Sequence, residues 1–332
     1  MTPPLVSILI PAYNAEHWLS DTLESAVNQT WPNKEIIVVD DGSKDGTCSI
    51  AEQFSRRGVR LERQANQGAA AARNKAFSIC SGEYIQWLDA DDLLAPDKIE
   101  TQMKAAQECE SGRTLLSGAW ARFIYRPTKA RFVPSSLWSD LKPAEWLLRK
   151  LEENLYMQTG SWLVSRELTE AAGPWDTRLL GDDDGEYFCR VLLASSGTRF
   201  VSKAKIYYRV SGAASLSYIG SSSRKLEAQF LSSKLHIKYL RSLSDDPRAR
   251  AACLAYLQRY LPYFYPERPD IVAEANQIAA GLGGRLEVPR LSWKYAWIQK
   301  IFGWEAAKKS QLYYNRAKSA LIARVDKALP SL

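Results

Sequence analysis

Hydrophobic and polar positions alternate in blocks along the first hundred residues of this 332-residue chain. Apolar, branched runs predict strands over 5–10, 35–39, 59–63 and 84–88. Apolar residues at helical spacing between these runs predict helices over 19–27, 47–54 and 69–79. Asn14 is the predicted N-cap of the first helix. Strands that alternate with helices are typical of a parallel α/β sheet.

The rest of the chain changes character twice. Prolines interrupt 114–210, where a strand over 158–165 and a helix over 184–194 are the clearest predicted elements. From about residue 221 the pattern is helical, without a strong strand run. We therefore expect an α/β body with a helical C-terminal region.

Polar residues follow three of the predicted strands. These strands end in Pro-Ala-Tyr-Asn at 11–14, Asp-Asp-Gly-Ser at 40–43 and Asp-Ala-Asp-Asp at 89–92. In open parallel sheets, ligands bind outside the carboxyl ends of the strands. This edge of the sheet is therefore the predicted functional site.

Asp89 and Asp91 flank a single residue directly after a buried strand. Two carboxylates in this arrangement can bind Mg²⁺ or Mn²⁺, which prefer oxygen ligands and complete their shells with water and phosphate oxygens. Two alternatives stand beside this interpretation. The acids could cap a helix that starts near Pro96, or they could simply be solvated in a turn, because this spacing is common by chance.

Other polar residues fall in the same context. Asp40 and Asp41 end a second strand, and a glycine turn at Gly68 precedes a helix that carries Arg73. Tyr13 could stack on a nucleobase. The alternatives are a solvated helix face for Arg73 and ordinary packing for Tyr13.

Taken together and in order, these motifs resemble a known family. The segments VSILIPAYNAEHWLSDTLESAVNQTWPNKEIIVVDDGSKDGT and NQGAAAARNKAFSICSGEYIQWLDADD resemble family 2 glycosyltransferases of the GT-A fold, over about residues 5–215. The resemblance implies inverting transfer of a sugar from a nucleoside-diphosphate sugar, expected to be a UDP-sugar, to a hydroxyl acceptor. That acceptor would be a glycan or lipid-linked glycan in bacterial surface polysaccharide or glycoconjugate synthesis.

The resemblance also implies a domain organisation. A GT-A domain would occupy 1–215, with a nucleotide-binding half over 1–112 and an acceptor-side half over 113–215. The helical, basic and aromatic-rich region would occupy 216–332.

The same resemblance implies roles for individual residues. Those expected to contact the nucleotide sugar are Pro11, Ala12, Tyr13, Asn14, Asp40, Asp41, Gly68, Arg73, Asp89 and Ala90. Asp41 would bind the base, while Asp89 would lie by the ribose and donor sugar. Asp91, together with Asp89, would ligate Mn²⁺ or Mg²⁺.

A later segment extends the resemblance to the acceptor side. Its pieces are Thr159-Gly160-Ser161-Trp162, Gly173-Pro174-Trp175-Asp176 and Asp182-Asp183-Asp184 followed by Arg190. The family usually carries Glu-Asp before this arginine, with the Asp as catalytic base. Counting back from Arg190 aligns Asp183 with the Glu and Asp184 with the base, although three consecutive acids leave the assignment open by one position.

These acids would also suit the N-terminus of a helix, and a base there needs burial or neighbouring charge to raise its pKa. Many relatives carry a histidine near the position of Ser211, and this chain has none there. A metal would therefore depend on Asp91, water and donor phosphates.

The net charge of +7 arises entirely in the tail. Residues 290–332 contain nine Lys and Arg against two acids, so the rest of the chain is formally neutral and does not indicate nucleic-acid binding. On a helix starting near Ser292, one predicted stripe contains Trp293, Trp297 and Trp304, bordered by Lys300 and Lys308. Such a stripe favours either peripheral contact with an anionic membrane or packing of the aromatics on the catalytic domain.

Two other function classes fit the sequence less well than an enzyme. A non-catalytic nucleotide-sugar-binding protein would not need the acidic motifs, all of which are present. A phosphate-accepting receiver domain built on Asp40 and Asp41 would leave Arg73 and the Asp89-x-Asp91 motif without a role. Five scattered cysteines and the lack of an apolar run of about 20 residues predict reduced thiols and a cytoplasmic location, at most peripheral to a membrane.

Overall fold

The computed structural model describes residues 2–109, 111–210, 222–289 and 293–328. The strands are β1 (Val6–Ala12), β2 (Lys34–Asp40), β3 (Val59–Arg63), β4 (Tyr84–Trp87), β5 (Leu93–Leu94), β6 (Thr114–Phe123), β7 (Arg131–Phe132), β8 (Val164–Ser165) and β9 (Gly197–Arg209). The first seven helices are α1 (Leu19–Val27), α2 (Thr47–Gln53), α3 (Ala69–Ile79), α4 (Lys98–Gln107), α5 (Pro143–Glu153), α6 (Arg166–Ala172) and α7 (Asp183–Ala194). The C-terminal helices are α8 (Ser223–Leu243), α9 (Pro247–Phe264), α10 (Pro269–Gly281) and α11 (Ala296–Ala328).

The predicted parallel sheet is present. Its strand order is β3-β2-β1-β4-β8, in which the first four strands run parallel and the short β8 pairs antiparallel with β4. Ala12 lies opposite Asp40 in the register of β1 and β2, so these two strands end side by side. The parallel arrangement brings the polar ends of β1, β2 and β4 to one edge.

Helices cover both faces of this sheet. Alternate residues of β1 point to opposite sides, so Ile8 and Ile10 pack with α1, α2 and α4, while Leu9 packs with α3 and the helices of the later chain. Strands buried on both faces explain the near-continuous apolar runs in the sequence.

A second sheet, not predicted, occupies the middle of the chain. Its order is β5-β9-β6-β7, with β6 and β9 parallel. The prediction of one strand over 158–165 is wrong for its first part, because Thr159–Ser161 is a 3-10 turn and only Val164–Ser165 pairs as a strand. The Gln158 side chain accepts a hydrogen bond from the Gly160 N–H at 2.5 Å and stabilises the turn. Gly160 also packs too closely on Ile206 for a larger residue.

The C-terminal helices α8–α10 share one hydrophobic core with the α/β body. Leu226 and Phe230 of α8 and Tyr256 and Leu257 of α9 belong to the same buried cluster as α5 and α7. All five cysteines are free thiols. None of the helices in the described part is both long and apolar enough to cross a bilayer.

The predicted tail stripe is wrong as a single face. Gly303 has φ +82° and ψ 173°, which interrupts α11 between Trp297 and Trp304. Trp297 is exposed, whereas the Trp304 indole N–H donates to the Tyr265 carbonyl. The side chain of Trp293 lies outside the described part, as do Ser292 and Ser211.

Candidate functional site

The loops that follow β1 and β2 are joined by hydrogen bonds. The Asn14 N–H donates to Ser43 Oγ at 2.9 Å, and Asn14 Oδ1 accepts from the Lys44 N–H at 2.9 Å. Asn14 is therefore not the N-cap of α1, which begins five residues later at Leu19. Its φ of +47° is left-handed, a conformation that asparagine tolerates, and it turns the chain toward the second loop.

The ends of β1 and β4 place the other predicted donor-contact residues. Pro11 and Ala12 are buried in the last positions of β1, and the Tyr13 ring stands 49% exposed just beyond them. Ala90 is partly buried, and its carbonyl accepts from Thr22 Oγ1 at 3.0 Å. A tyrosine this exposed is not fixed in the core, which leaves its face open to a planar ligand.

Asp41 organises the turn before α3. Its carboxylate accepts hydrogen bonds from the backbone N–H groups of Gln67 and Gly68, each at 2.8 Å, and from Gln64 Nε2 at 2.7 Å. Asp40 accepts from the Ser43 N–H. Both carboxylates are buried. Asp40 is bonded within its own loop, whereas Asp41 joins that loop to the turn before α3.

Gly68 sits in a conformation reserved for glycine. Its φ of +93° and ψ of 162° are closed to residues with a Cβ. No atom lies within 4 Å of where a Cβ would stand, so the glycine leaves open space at the N-terminus of α3. A helix N-terminus facing open space favours an anion.

Arg73 connects the two halves of the site. It donates from Nη2 to Asp89 Oδ1 at 2.7 Å and from Nη1 to Asp183 Oδ2 at 2.6 Å. Its side chain is only 6% exposed, so the solvated-face alternative is wrong. Burial alone would lower the pKa of Arg73, but Asp183 and Asp89 raise it above the usual arginine value.

Aromatic packing fixes the arginine in place. The guanidinium lies 4.3 Å from the Trp175 ring centroid, and Trp175 stacks on Tyr187 at 4.0 Å with the rings nearly parallel. Asn74 holds the Trp175 backbone in both directions, accepting from its N–H at 2.8 Å and donating to its carbonyl at 2.9 Å. The position of Arg73 is therefore set by α3 and by the loop before α7 together.

The three consecutive acids begin α7. The backbone of Asp182 has a left-handed conformation, with φ +54° and ψ 25°, and this residue precedes the first helical residue, Asp183. Its carboxylate accepts from Ser232 Oγ of α8 at 2.5 Å and folds over Gly185, where a Cβ would lie 2.1 Å from Asp182 Oδ1. The acids do occupy a helix N-terminus, where the helix dipole favours negative charge.

The last two acids have different partners. Asp183 is paired with Arg73, whereas Asp184 Oδ2 accepts from Thr159 Oγ1 at 3.2 Å. Burial, with help from Asp184 and Asp89, raises the pKa of Asp183 to about 6 although Arg73 opposes the shift. Burial, then Asp182 and Asp89, likewise raises the pKa of Asp184. A raised pKa is what a carboxylate base near neutral pH requires.

The loop after β4 is held from both sides. Asp92 is fully buried and accepts from the Arg209 N–H at 2.8 Å and from Gln158 Nε2. Burial, Asp91 and Asp89 raise the pKa of Asp92 well above its usual range. Because α4 begins at Lys98, the Asp89-x-Asp91 acids do not cap it, and the helix-cap alternative is wrong.

Arg209 supports the same loop from the end of β9. Its Nε donates to the Asp91 carbonyl at 2.8 Å, and Nη2 donates to Asp21 Oδ2 at 3.0 Å. The guanidinium lies between the rings of Trp18 and Phe123, at 4.4 and 4.5 Å from their centroids. This arginine fixes the backbone of Asp91 and leaves its side chain partly exposed.

The acidic residues at the end of β4 fit an open metal site. Within the described ranges, no group of three or more His, Cys, Asp or Glu side chains is arranged to enclose an ion. Burial is the main reason why the pKa of Asp92 is raised, and the negative charges of Asp91 and Asp89 raise it further. Mg²⁺ and Mn²⁺ sites of this kind use one or two carboxylates and take further oxygens from water and phosphate.

Sequence reasoning gave no role to five residues that shape the site, namely Asn74, Asp92, Thr159, Trp175 and Arg209. Thr159 and Trp175 lie in segments that carried the family resemblance, and Asp92 adjoins the Asp89-x-Asp91 motif. The positions of these three residues beside recognised motifs could have identified them from the sequence. The contacts of Arg209 come from Asp21 in α1 and from Ile124 just after β6, which are distant in sequence from it.

Residues 7–170 match the family described as glycosyl transferase family 2. TuaG of Bacillus subtilis (strain 168), a glycosyltransferase assigned to teichuronic acid biosynthesis, is 42% identical over 108 residues, covering 32% of this chain and 43% of TuaG. The uncharacterized glycosyltransferase YibD of Escherichia coli (strain K12) is 41% identical over 105 residues, covering 31% of this chain and 30% of YibD. The chain thus spans less than half the length of these curated relatives.

Two solved structures share the architecture. S. aureus TarS 1-349 in complex with UDP-GlcNAc has a TM-score of 0.65 at 18% identity, over 83% of each chain. The mannosyltransferase PcManGT from Pyrobaculum calidifontis, in complex with GDP-Man and Mn²⁺, has a TM-score of 0.54 at 20% identity, over 98% of this chain and 87% of that one. At these identities the likeness concerns the fold, and it confirms the predicted GT-A architecture with a helical C-terminal region.

The family match runs through β1 to β4, the strands that carry Asp41 and Asp89 at their ends, and through the helix that carries Arg73. Residues 7–170 of this chain belong to glycosyl transferase family 2.

Proposed function

We propose that this protein is an inverting, metal-dependent glycosyltransferase of the hexosyltransferase type, which moves a sugar from a nucleoside-diphosphate sugar to a hydroxyl acceptor. The observation that carries the proposal is the contact of Arg73 with both Asp89 and Asp183. This contact joins the strand ends expected to hold the donor to the acidic start of α7. Asp184 lies beside that junction without an arginine or lysine on its carboxylate in the described part.

Asp184 is the proposed catalytic base. Asp183 is engaged by Arg73, so its carboxylate balances a buried cation, whereas Asp184 Oδ2 accepts a hydrogen bond from the Thr159 hydroxyl. In the reaction, Asp184 removes the proton of the acceptor hydroxyl. The oxygen then attacks the anomeric carbon on the face opposite the diphosphate, which leaves with inversion. A positioned base contributes roughly 10²–10⁴-fold to the rate.

Donor binding is assigned to the strand ends and the start of α3. Tyr13 would cover the base, with Asp40 and Asp41 at its edge, and the open N-terminus of α3 at Gly68 would face phosphate oxygens. Asp89 would approach the ribose and sugar, positioned by Arg73. Asp91 and Asp89 would hold Mg²⁺ or Mn²⁺, which supplies neutralisation of charge on the diphosphate leaving group.

The finer assignments follow the relatives. TarS was solved with UDP-GlcNAc and PcManGT with GDP-Man, and we propose a UDP-sugar as donor for this chain. TuaG is assigned to teichuronic acid synthesis, and we propose a glycan or lipid-linked glycan of the bacterial surface as acceptor, with the reaction on the cytoplasmic side. Nucleic acid is not a proposed partner.

A panel of UDP-, GDP- and dTDP-sugars tests the proposal, with thermal stabilisation reporting donor binding and release of the nucleoside diphosphate reporting turnover. We expect one donor to stabilise the protein and to be turned over with Mn²⁺ or Mg²⁺. Asp184→Asn should keep donor binding near wild type and lose about 10²–10⁴-fold of turnover, Asp183→Asn should lose less, and the exposed Asp97→Asn is the matched control. Donor binding without turnover for every sugar and acceptor tested would instead identify a binding protein.

A further inference from the structure

The exposed apolar side chains of this protein concentrate in its C-terminal segment. In the part of the chain that the structure describes, seven of the fifteen exposed large hydrophobic residues lie between Trp297 and Leu321. The seven are Trp297, Ile301, Phe302, Leu312, Tyr313, Tyr314 and Leu321. Single exposed apolar residues need no explanation, but a contiguous group of them marks an interaction surface.

The first three of these residues form one continuous face. Trp297, Ile301 and Phe302 are 59%, 66% and 66% exposed. At about 100° per residue, the positions i, i+4 and i+5 fall within an arc of about 140° on a helix. Gly303 then breaks the helix, so the face stands on a separate turn that projects its three side chains together.

This face is exposed although the segment is attached to the body. On one side, Trp304 donates to the Tyr265 carbonyl at 3.2 Å, and Lys308 donates to the same carbonyl at 3.1 Å and pairs with Glu267. Near the far end, Asp326 accepts from Arg126 and from the Tyr125 N–H. The predicted packing on the body is therefore performed by Trp304 and its neighbours, whereas Trp297 stays exposed.

Exposed positive charge lies along the same segment as the exposed apolar side chains. Lys294, Lys300, Lys318 and Arg324 are exposed, and no carboxylate of the described part lies within salt-bridge distance of them. The whole net charge of +7 belongs to residues 290–332. The occupant of this surface must therefore be both apolar and anionic.

We propose that residues 294–324 form a docking surface for an anionic lipid membrane, with Trp297, Ile301 and Phe302 entering the boundary between headgroups and acyl chains. Aromatic and aliphatic side chains bordered by lysines suit that boundary. A second copy of the chain would place two cationic tails against each other, and like charges at such distances repel. A nucleic acid would use stacking aromatics, but gives no partner to Ile301, Leu312 or Leu321.

This surface does not depend on the proposed catalytic residues, all of which lie outside 290–332. Docking would bring the protein to acceptors that are themselves anchored in lipid. Membrane binding can thus be measured without turnover, and its failure would leave the proposed activity standing.

Co-sedimentation of the full chain with vesicles tests the docking surface. We expect binding to vesicles with about 30 mol% anionic lipid, little binding to neutral ones, and release at about 0.5 M salt. The variant W297S/I301S/F302S should lower the partition coefficient about 100-fold or more. Replacing Lys294, Lys300, Lys318 and Arg324 by Gln should cost about fivefold per cation. The matched control is V133S/L243S, which removes two exposed apolar side chains outside the tail.

A second measurement reports whether Trp297 enters the bilayer, and it does not need a variant that fails to bind vesicles. Brominated acyl chains quench tryptophans that enter the bilayer, and Trp297→Phe should remove most of the quenching while the protein still sediments with vesicles. The proposal is overturned if wild type fails to bind anionic vesicles at low salt, or if the triple variant binds as well as wild type. It is overturned equally if the tail variants abolish self-association or oligonucleotide binding while vesicles bind none of the proteins.

Discussion

Replacement of Arg73 by Met removes the cation that Asp89 and Asp183 share. The Arg73 side chain is 6% exposed, and those of Asp183 and Asp89 are 15% and 27% exposed, so water can replace little of the lost interaction. Breaking a buried pair by removing one partner typically costs about 3–5 kcal/mol. Because Asp89 is the more accessible acid, we expect the lower end, about 3 kcal/mol of unfolding free energy near pH 8.

The cost should depend on pH in a defined direction. Burial raises the pKa of Asp183 to about 6 in the folded protein even with Arg73 present, and loss of Arg73 raises it further. A carboxyl group whose folded pKa exceeds its unfolded value favours folding at low pH, and that advantage is lost as pH rises through the folded pKa. The variant keeps Asp183 protonated up to a higher pH than wild type does. The loss of unfolding free energy relative to wild type should therefore be smallest near pH 5 and largest near pH 8.

Urea unfolding of wild type and variant at pH 5, 6, 7 and 8 measures this dependence. The double variant R73M/D183N should lose about 1–3 kcal/mol less unfolding free energy than the two single variants lose together, because it no longer contains the uncompensated Asp183 charge. Arg73→Lys keeps the charge but lacks the planar fork and the stack on Trp175, so it should recover only part of the loss. A deficit that stays constant from pH 5 to pH 8, with additive double-variant effects, would refute the role of Arg73 as the partner of Asp183.

The remaining predictions concern catalysis and the start of α7. Asp91→Asn should keep the fold and lose about 10²-fold or more of kcat, because an amide cannot balance the diphosphate charge; full wild-type activity in excess EDTA would contradict the metal role. The acid limb of kcat/KM should lie above the pH at which an ordinary aspartate titrates, because burial and Asp182 raise the pKa of Asp184 and the base must be ionised to act. A limb at an ordinary aspartate pKa would argue against Asp184. Gly185→Ala places a Cβ against the Asp182 carboxylate, so it should cost about 1–3 kcal/mol of stability and should also lower turnover. The matched control is Gly281→Ala, where no atom lies within 4 Å of the new Cβ, and it should change neither stability nor turnover.

The sequence was informative at the ends of strands, where a polar residue has no structural role in the core. Polar residues directly after buried strands cannot join the core, so Asp41 and Asp89 stand out against their neighbours, and the parallel topology places their strand ends at one edge. The same reasoning failed for the second sheet. β6 carries Ser117 and Gly118 within its apolar run, and Gly118 is needed because the Ala204 backbone would lie 2.3 Å from a Cβ. A close approach between distant strands leaves no local pattern to read.

The residues that hold the proposed chemistry in place were harder to predict than those that perform it, for a physical reason. A catalytic base or a metal ligand is a polar residue at a position where polar residues are unusual. The contrast with its apolar neighbours can be seen in the sequence. Ser232 in α8, by comparison, is one small polar residue on a helix, yet its hydroxyl fixes the carboxylate of Asp182 across 50 positions of sequence. The side chain of Trp175 is of a type common in protein cores, and its distance of 4.3 Å from the Arg73 guanidinium shows its supporting role. Supporting residues are recognised by their contacts, and contacts of this range exist only once α3, α7 and α8 have packed together.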